Sequence, residues 1–88
     1  MKLNALLSAL AQPTRREIFE AIAKAEKGMN STDIADATGT MPTNTSAHLT
    51  VLRNAGLVTA RRSGKTVNYR AEQDVMKALI GYLSGLTA

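Results

Sequence analysis

The side chains best suited to specific chemistry are those of Thr43, Asn44 and Ser46, which offer hydrogen-bond donors and acceptors without carrying charge. With Ala47 they form a small, neutral group at the start of the segment 41–54. A solvated helix face usually carries Glu and Lys, and this segment contains neither. In the major groove of DNA, Asn can form two hydrogen bonds with adenine, and Thr or Ser can bond to several bases. These residues are therefore candidates for reading base-pair edges.

Apolar spacing predicts that the segment 41–54 is a helix. Thr45, Leu49 and Leu52 are separated by four and then three residues, which places them on one face. Pro42 is favoured in the first turn of a helix, where its missing N–H has no hydrogen bond to lose. The uncharged group then lies on the outer face, at the N-terminal end of the helix.

A shorter helix is predicted just before this one. Asn30 is a good N-cap, and Asp33 places a carboxylate in the first turn, where the helix dipole favours it. Gly39 ends the helix, since a residue with positive φ is common there. Two helices joined by such a turn predict a helix-turn-helix over residues 30–55, with 41–54 as the recognition helix.

Alternating residues after this motif predict a β-hairpin over residues 57–70. Its strands are expected at 57–62 and 65–70, with Ser63-Gly64 as a two-residue turn. Arg61, Arg62 and Lys65 cluster at the tip. A basic hairpin directly after a recognition helix is typical of a wing, which contacts DNA phosphates or inserts a cation into the minor groove.

Positive charge is concentrated in the same part of the chain, whose net charge is +4. No acidic residue lies between Asp36 and Glu72, and the other six basic and seven acidic residues nearly cancel. A polyanionic partner explains this asymmetry, and a solvated basic face is the alternative. The basic residues between the two acids are Arg53, Arg61, Arg62, Lys65 and Arg70.

The two ends of the chain each predict an apolar helix, over residues 2–11 and 72–86. Their apolar stripes are wider than one packing face needs, and one core of 88 residues is close to the limit of independent stability. We therefore expect a homodimer held by these helices. The residues expected at its interface are Leu3, Leu6, Leu7, Leu10, Met76, Leu79, Ile80, Leu83 and Leu86.

A further helix is predicted over residues 14–27. Thr14 and Glu17 have the spacing of a capping box, in which each side chain bonds a backbone N–H at the start of the helix. Arg16 has two interpretations, a phosphate contact or an i,i+4 pair with Glu20, and we favour the pair.

Composition limits the remaining classes. The chain forms one predicted domain, residues 1–88, and contains no cysteine, which excludes disulfides and thiolate metal sites. The apolar run at its start is too short to span a bilayer and lacks a signal-peptide pattern, so we expect a cytoplasmic protein without a membrane partner. His48 is the single histidine, and no nucleophile or paired-carboxylate motif accompanies it. An enzyme is not expected, and no cofactor is implied.

The chain carries three characteristic runs, which are QPTRREIFEAI, MPTNTSAHLTVLRNAGLV and RRSGKTVNYR. Together, and in this order along the chain, they resemble the ArsR/SmtB family of bacterial winged-helix repressors over roughly residues 5–83. The resemblance implies a mainly α fold with a small β-hairpin, in the order α-α-α-α-β-β-α, that binds double-stranded DNA as a homodimer on a palindromic operator. His48 matches a family histidine, which favours a structural or phosphate-contacting role. The DNA-contact candidates are Thr43, Asn44, Ser46, Ala47, His48, Arg53, Arg61, Arg62 and Lys65.

The chain departs from this family at the positions that sense metals. Many relatives use cysteines on the first helix of the helix-turn-helix, where this chain reads Ser-Thr-Asp-Ile-Ala-Asp, and others use Asp/His pairs on the last helix. We therefore expect no metal site. The one other set of candidate ligands, for a hard cation, is the acidic residues at helix starts, which are Asp33, Asp36, Glu72 and Asp74.

The alternative function is a winged-helix interaction module, which binds a protein or organises DNA without sequence preference.

Overall fold

Five helices and a two-stranded hairpin make up the part of the chain that the computed structural model describes, residues 2–87. The predicted domain, residues 1–88, extends beyond this range by one residue at each end. The element order α-α-α-α-β-β-α confirms the predicted fold class. The elements are α1 (Leu3–Ala11), α2 (Pro13–Lys24), α3 (Ser31–Thr38), α4 (Pro42–Asn54), β1 (Val58–Ser63), β2 (Thr66–Ala71) and α5 (Gln73–Ser84).

The core lies between α1, α2, α3 and α4 and is closed by the start of β1. As predicted, α4 buries Thr45, Leu49 and Leu52 on one face. Thr45 is the one polar member, and its Oγ1 donates to Met41 O at 3.0 Å, so the buried hydroxyl is hydrogen-bonded. The largest fully buried side chains are Leu6, Ile18, Ile22, Ile34, Thr45, Leu49, Leu52 and Leu57.

The helix-turn-helix has the predicted boundary residues. Asn30 Oδ1 accepts the Asp33 N–H at 2.8 Å, and Gly39 ends α3 with φ of +65°. Pro42 opens α4. The local chemistry of these few residues therefore sets the ends of both helices.

The start of α2 differs from the prediction. The helix begins at Pro13, and its N-cap is Gln12, whose Oε1 accepts the Arg15 N–H at 2.6 Å. The expected Thr14–Glu17 capping box is therefore wrong, because Thr14 already lies inside the first turn. The helix also ends earlier than expected, at Lys24.

The hairpin turn is shifted by one residue from the predicted Ser63-Gly64. Ser63 pairs with Thr66, so the two turn residues are Gly64 and Lys65. Gly64 has φ of +62°, and a positive φ at the first turn residue is what a type II′ turn requires. The strands accordingly run from 58 to 63 and from 66 to 71.

A loop between α2 and α3 attaches the hairpin to the helices. The N–H of Met29 donates to Tyr69 O at 2.9 Å, and the N–H of Tyr69 donates to Met29 O at 2.8 Å. Asn68 Nδ2 donates to Lys27 O at 3.1 Å. Gly28 lies between these contacts with φ of +80°, and a Cβ there would stand 2.6 Å from Tyr69 O. This attachment holds the hairpin at a fixed place beside the core.

Gly28→Ala should be strongly destabilising, because it combines an unfavourable backbone conformation with a clash. The left-handed conformation costs a non-glycine residue about 1–2 kcal/mol, and the clash adds about 1–3 kcal/mol. Gly39→Ala is the matched control, because Gly39 has φ of +65° but nothing within 4 Å of its Cβ position. Urea unfolding of both variants measures the difference. Equal losses would show that the loop moves away from β2 without cost.

The last helix, α5, packs only loosely on its own chain. No side chain in Gln73–Ser84 is buried, although Val75 and Met76 rest against the core. Ile80 is 60% exposed and Leu83 50% exposed. Among the helices of residues 2–87, none is long and apolar enough to cross a membrane.

The first helix divides its leucines between two environments. Leu6 is 1% exposed and belongs to the core, whereas Leu7 is exposed. Leu3 and Leu10 are partly buried. Leu6 was expected at a dimer interface, and the structure corrects this, because almost none of its surface is left for a second chain.

Candidate nucleic-acid interface

The uncharged group at the start of α4 is exposed. Thr43, Asn44, Ser46 and Ala47 are all exposed, while Thr45 between them points into the core. Since α4 is held by its buried face, these four side chains have a fixed base. The geometry therefore matches the predicted outer face of the recognition helix, and it leaves hydrogen-bonding groups available to an external ligand.

His48 differs from its neighbours because it is partly buried. Burial lowers the pKa of His48 below its ordinary value of 6.5, and the positive charge of Arg15 lowers it further. The lowered pKa favours the neutral imidazole, which has one N–H donor and one nitrogen acceptor and adds no charge to the surface.

Two arginines of α2 hold the C-terminal end of α1. Arg15 Nε donates to Ala9 O at 2.7 Å, and Arg16 Nη1 donates to Leu10 O at 2.8 Å. The last carbonyls of a helix have no partner within it, so these guanidinium groups satisfy them. Arg16 is thus positioned by α1 rather than by the expected pair with Glu20. The spacing of residues within one helix does not predict a contact such as this one, which joins two helices.

An open groove of about 450 Å³ lies between α4 and the hairpin. Arg53 and Asn54 border it from α4, and Thr59 and Ala60 border it from β1. Arg53, the basic residue of α4, is therefore exposed beside the hairpin and not beside the uncharged group at the other end of the helix.

The predicted wing cations are all exposed near the tip of the hairpin. Arg61 lies opposite Asn68 and Arg62 opposite Val67, while Lys65 occupies the turn itself. Neighbouring strand residues point to opposite faces, so Arg61 and Arg62 place cations on both sides of the hairpin.

Arg70 is a fourth cation of this surface, absent from the predicted contact residues. It shares a face with Arg61, and both border a groove of about 580 Å³. Its Nε donates to Asn68 Oδ1 at 3.2 Å, which orients the guanidinium along the hairpin. The charge pattern contained a signal for it, because Arg70 is one of the five basic residues in the acid-free segment between Asp36 and Glu72.

Two acidic residues at helix starts have local roles in their helices. Glu72 Oε1 accepts the Asp74 N–H at 3.3 Å as the N-cap of α5, and Asp33 places a carboxylate in the first turn of α3, where the helix dipole favours it. Within residues 2–87, no three His, Asp or Glu side chains converge in the manner of a metal site.

Comparison with known proteins connects this geometry to a family. A helix-turn-helix domain model matches residues 10–61, more than half of the chain. The crystal structure of NolR from Sinorhizobium fredii is 32% identical, with a TM-score of 0.76 over 97% of this chain and 83% of that one. A homodimeric winged helix-turn-helix DNA-binding domain from Mycobacterium bovis, a possible ArsR-family regulator, is 33% identical, with a TM-score of 0.78 over 96% and 79%. The chain belongs to the ArsR family of winged helix-turn-helix regulators.

Membership in the ArsR family confirms the predicted resemblance. The proteins that this chain is similar to are helix-turn-helix transcriptional regulators. The nodulation protein NolR of Rhizobium meliloti is 32% identical over 91% of this chain, but the chain spans only 64% of that protein. It spans 53% and 30% of two regulators from Mycobacterium tuberculosis.

Proposed function

We propose that this ArsR-family chain binds a specific palindromic DNA site as a homodimer and acts as a repressor by blocking access to a promoter. The observation that carries the proposal is that α4 exposes the uncharged side chains of Thr43, Asn44 and Ser46 at its start and adjoins the cationic hairpin at its end. Phosphate contacts position a protein on DNA, and base contacts give it specificity. This surface offers separate groups for both tasks.

Asn44 is the residue proposed to contribute most to base readout. Asn44→Ala should cost about 1–3 kcal/mol for each half-site of the cognate DNA and much less on random DNA, because one bidentate base contact is lost in each half-site. The cognate site is obtained by selecting bound sequences from random DNA, and titration measures both affinities. Asn4→Ala is the control, since Asn4 is an exposed Asn on α1. Equal losses on both DNAs would remove Asn44 from base readout.

The exposed apolar residues of α5 support a homodimer. A helix with no buried side chain and with Ile80 and Leu83 open to solvent needs a partner surface. The related domain from Mycobacterium bovis is homodimeric. In a twofold dimer, two recognition helices can meet successive major grooves, about 34–36 Å apart or a multiple of it.

Two other functions would use the same surface, and one experiment separates them from a specific regulator. A DNA-organising protein would bind selected and scrambled sequences equally in a gel-shift assay, and a protein-interaction module would bind neither. Recovery of a palindrome from random DNA would establish specificity, symmetry and half-site spacing together. Uncharged side chains at the start of α4 favour the specific regulator, because binding to phosphates alone is better served by Lys.

We also propose that DNA binding does not need a metal ion. The chain has no cysteine and one histidine, so the thiolate and histidine ligands typical of the family's metal sensors are missing. Operator affinity measured with zinc, cadmium, arsenite or a chelator should agree within error. A change greater than tenfold, or about 1.4 kcal/mol, would reveal a site built from oxygen ligands.

A further inference from the structure

The large exposed apolar side chains fall into three groups. The residues on α1, on α5 and directly after α5 belong to the surface proposed for the second copy. Val51, near the end of α4, borders a groove of about 270 Å³ with Ala5 and Ser8 of α1. Met41 is separate from both groups. The complete set is Leu7, Met41, Val51, Ile80, Tyr82, Leu83 and Leu86.

Met41 stands at the N-terminal end of the recognition helix, directly before Pro42. Its carbonyl accepts two hydrogen bonds from Thr45, from the N–H at 2.8 Å and from Oγ1 at 3.0 Å. The backbone of Met41 is therefore fixed, yet its side chain is 67% exposed. Ten residues of helix separate it from Val51, or about 15 Å along the axis. The α1 surface beside Val51 is thus at the other end of the helix.

Capping does not explain a methionine at this position. The N-cap side chains of α2, α3 and α5 each accept a backbone N–H, but Met41 makes no such bond for α4. Ser, Thr, Asp or Asn would stabilise the helix there. The chain instead carries a flexible, polarisable thioether next to the residues proposed to contact bases.

We infer that Met41 is a specificity-determining residue that contacts the C5-methyl group of a thymine in the major groove. The N-terminal residues of a recognition helix are those that reach base edges. Among the groups that base pairs present there, the thymine methyl is the apolar one, and apolar side chains recognise it. Thr43 and Asn44 supply hydrogen bonds to neighbouring base pairs. The inference rests on the proposed sequence-specific DNA binding.

Replacing thymine by uracil tests this contact, because uracil lacks the methyl group and keeps the same base pairing. Each thymine of the selected site is exchanged in turn, and affinities are measured for the wild type and for Met41→Ala. At one thymine of each half-site, the exchange should weaken wild-type binding about fourfold, which corresponds to about 0.8 kcal/mol for one methyl-sized group. Met41→Ala should bind the thymine and uracil sites equally at that position.

Three controls make the result specific to Met41. Met41→Leu keeps an apolar side chain of similar size and should retain most of the thymine preference. Asn44→Ala should bind both sites more weakly but keep their ratio. Thermal unfolding of Met41→Ala should match the wild type, because the side chain is exposed.

Other outcomes overturn the inference in distinguishable ways. If Met41→Ala keeps the wild-type ratio at every thymine, or if Thr43→Ala removes the preference instead, Met41 does not read the methyl group. A selected site without thymine near the Asn44 contact would also show that Met41 does not read the methyl group. Failure to select any sequence would overturn the proposed function and this inference together.

Discussion

Leu83→Asp should convert the proposed homodimer into monomers and abolish binding to the selected DNA site, although Leu83 is remote in sequence from every proposed DNA contact. The side chain lies in the last turns of α5 and is 50% exposed in the single chain. In a dimer built on α1 and α5, the substitution would bury a carboxylate in an apolar contact. A buried charge without a partner is far more costly than a lost methyl group.

The expected size of the effect follows from the symmetry of a homodimer. Burying one leucine contributes roughly 1.5–3 kcal/mol, and a twofold axis places two copies of Leu83 in the interface. Loss of both contacts corresponds to roughly 3–6 kcal/mol, so the dimer dissociation constant should rise by about 10² to 10⁴. Analytical ultracentrifugation measures the oligomeric state, and a gel shift on the selected site measures DNA binding.

Gly81→Asp is the matched control for this experiment. Gly81 lies two residues before Leu83 in α5, so a side chain there points to the opposite side of the helix, and its Cβ meets nothing within 4 Å. It should remain dimeric and bind DNA normally. A Leu83→Asp variant that also stays dimeric would show that α5 packs only within its own chain.

Sequence patterns predicted the recognition helix well, because its determinants are local. The buried face of this helix consists of Thr45, Leu49 and Leu52, which lie within a few turns. Gly39 ends the preceding helix and Pro42 begins this one, so the signals for both ends are also close in sequence. Each of these features has one structural solution at short range. The predicted helix over residues 41–54 and the observed α4 therefore agree to within a residue.

The errors arose where two local solutions compete. Gln12 and Thr14 are both able to cap α2, and Pro13 decides between them, because proline is preferred as the first helical residue. In the hairpin, a turn at Ser63-Gly64 and one at Gly64-Lys65 are both plausible. The register is fixed at the other end, where the Glu72 N–H donates to Leu57 O at 2.8 Å.

Contacts between distant residues could not be predicted from spacing at all. The pairing of Met29 with Tyr69 is a single residue pair without an alternating pattern around Met29. Likewise, a stripe of leucines in α1 does not distinguish Leu6, which is in the core, from Leu7, which is exposed. Burial is a property of the assembled helices, and the sequence of one helix specifies only which residues share a face.

Removing the three wing cations, by replacing Arg61, Arg62 and Lys65 with Ala, should weaken binding to every DNA sequence alike. The three side chains are exposed near the hairpin tip, where cations can follow the phosphate backbone. In a homodimer the triple variant loses six phosphate contacts. Each contact contributes about 0.9 to the slope of log affinity against log salt, so the slope should fall by about 5.

The salt dependence separates phosphate contact from base readout in this variant. A matched control replaces Lys2, Lys24 and Lys77 with Ala, which removes the same charge from exposed positions on other elements. This control should lose little affinity and keep its slope, because long-range attraction is screened beyond about 10 Å at 0.1 M salt. Titrations at several salt concentrations, on the selected site and on random DNA, measure both quantities. If the wing variant instead keeps its slope and loses the preference for the selected site, the wing reads bases, and the helix face at Asn44 does not account for specificity alone.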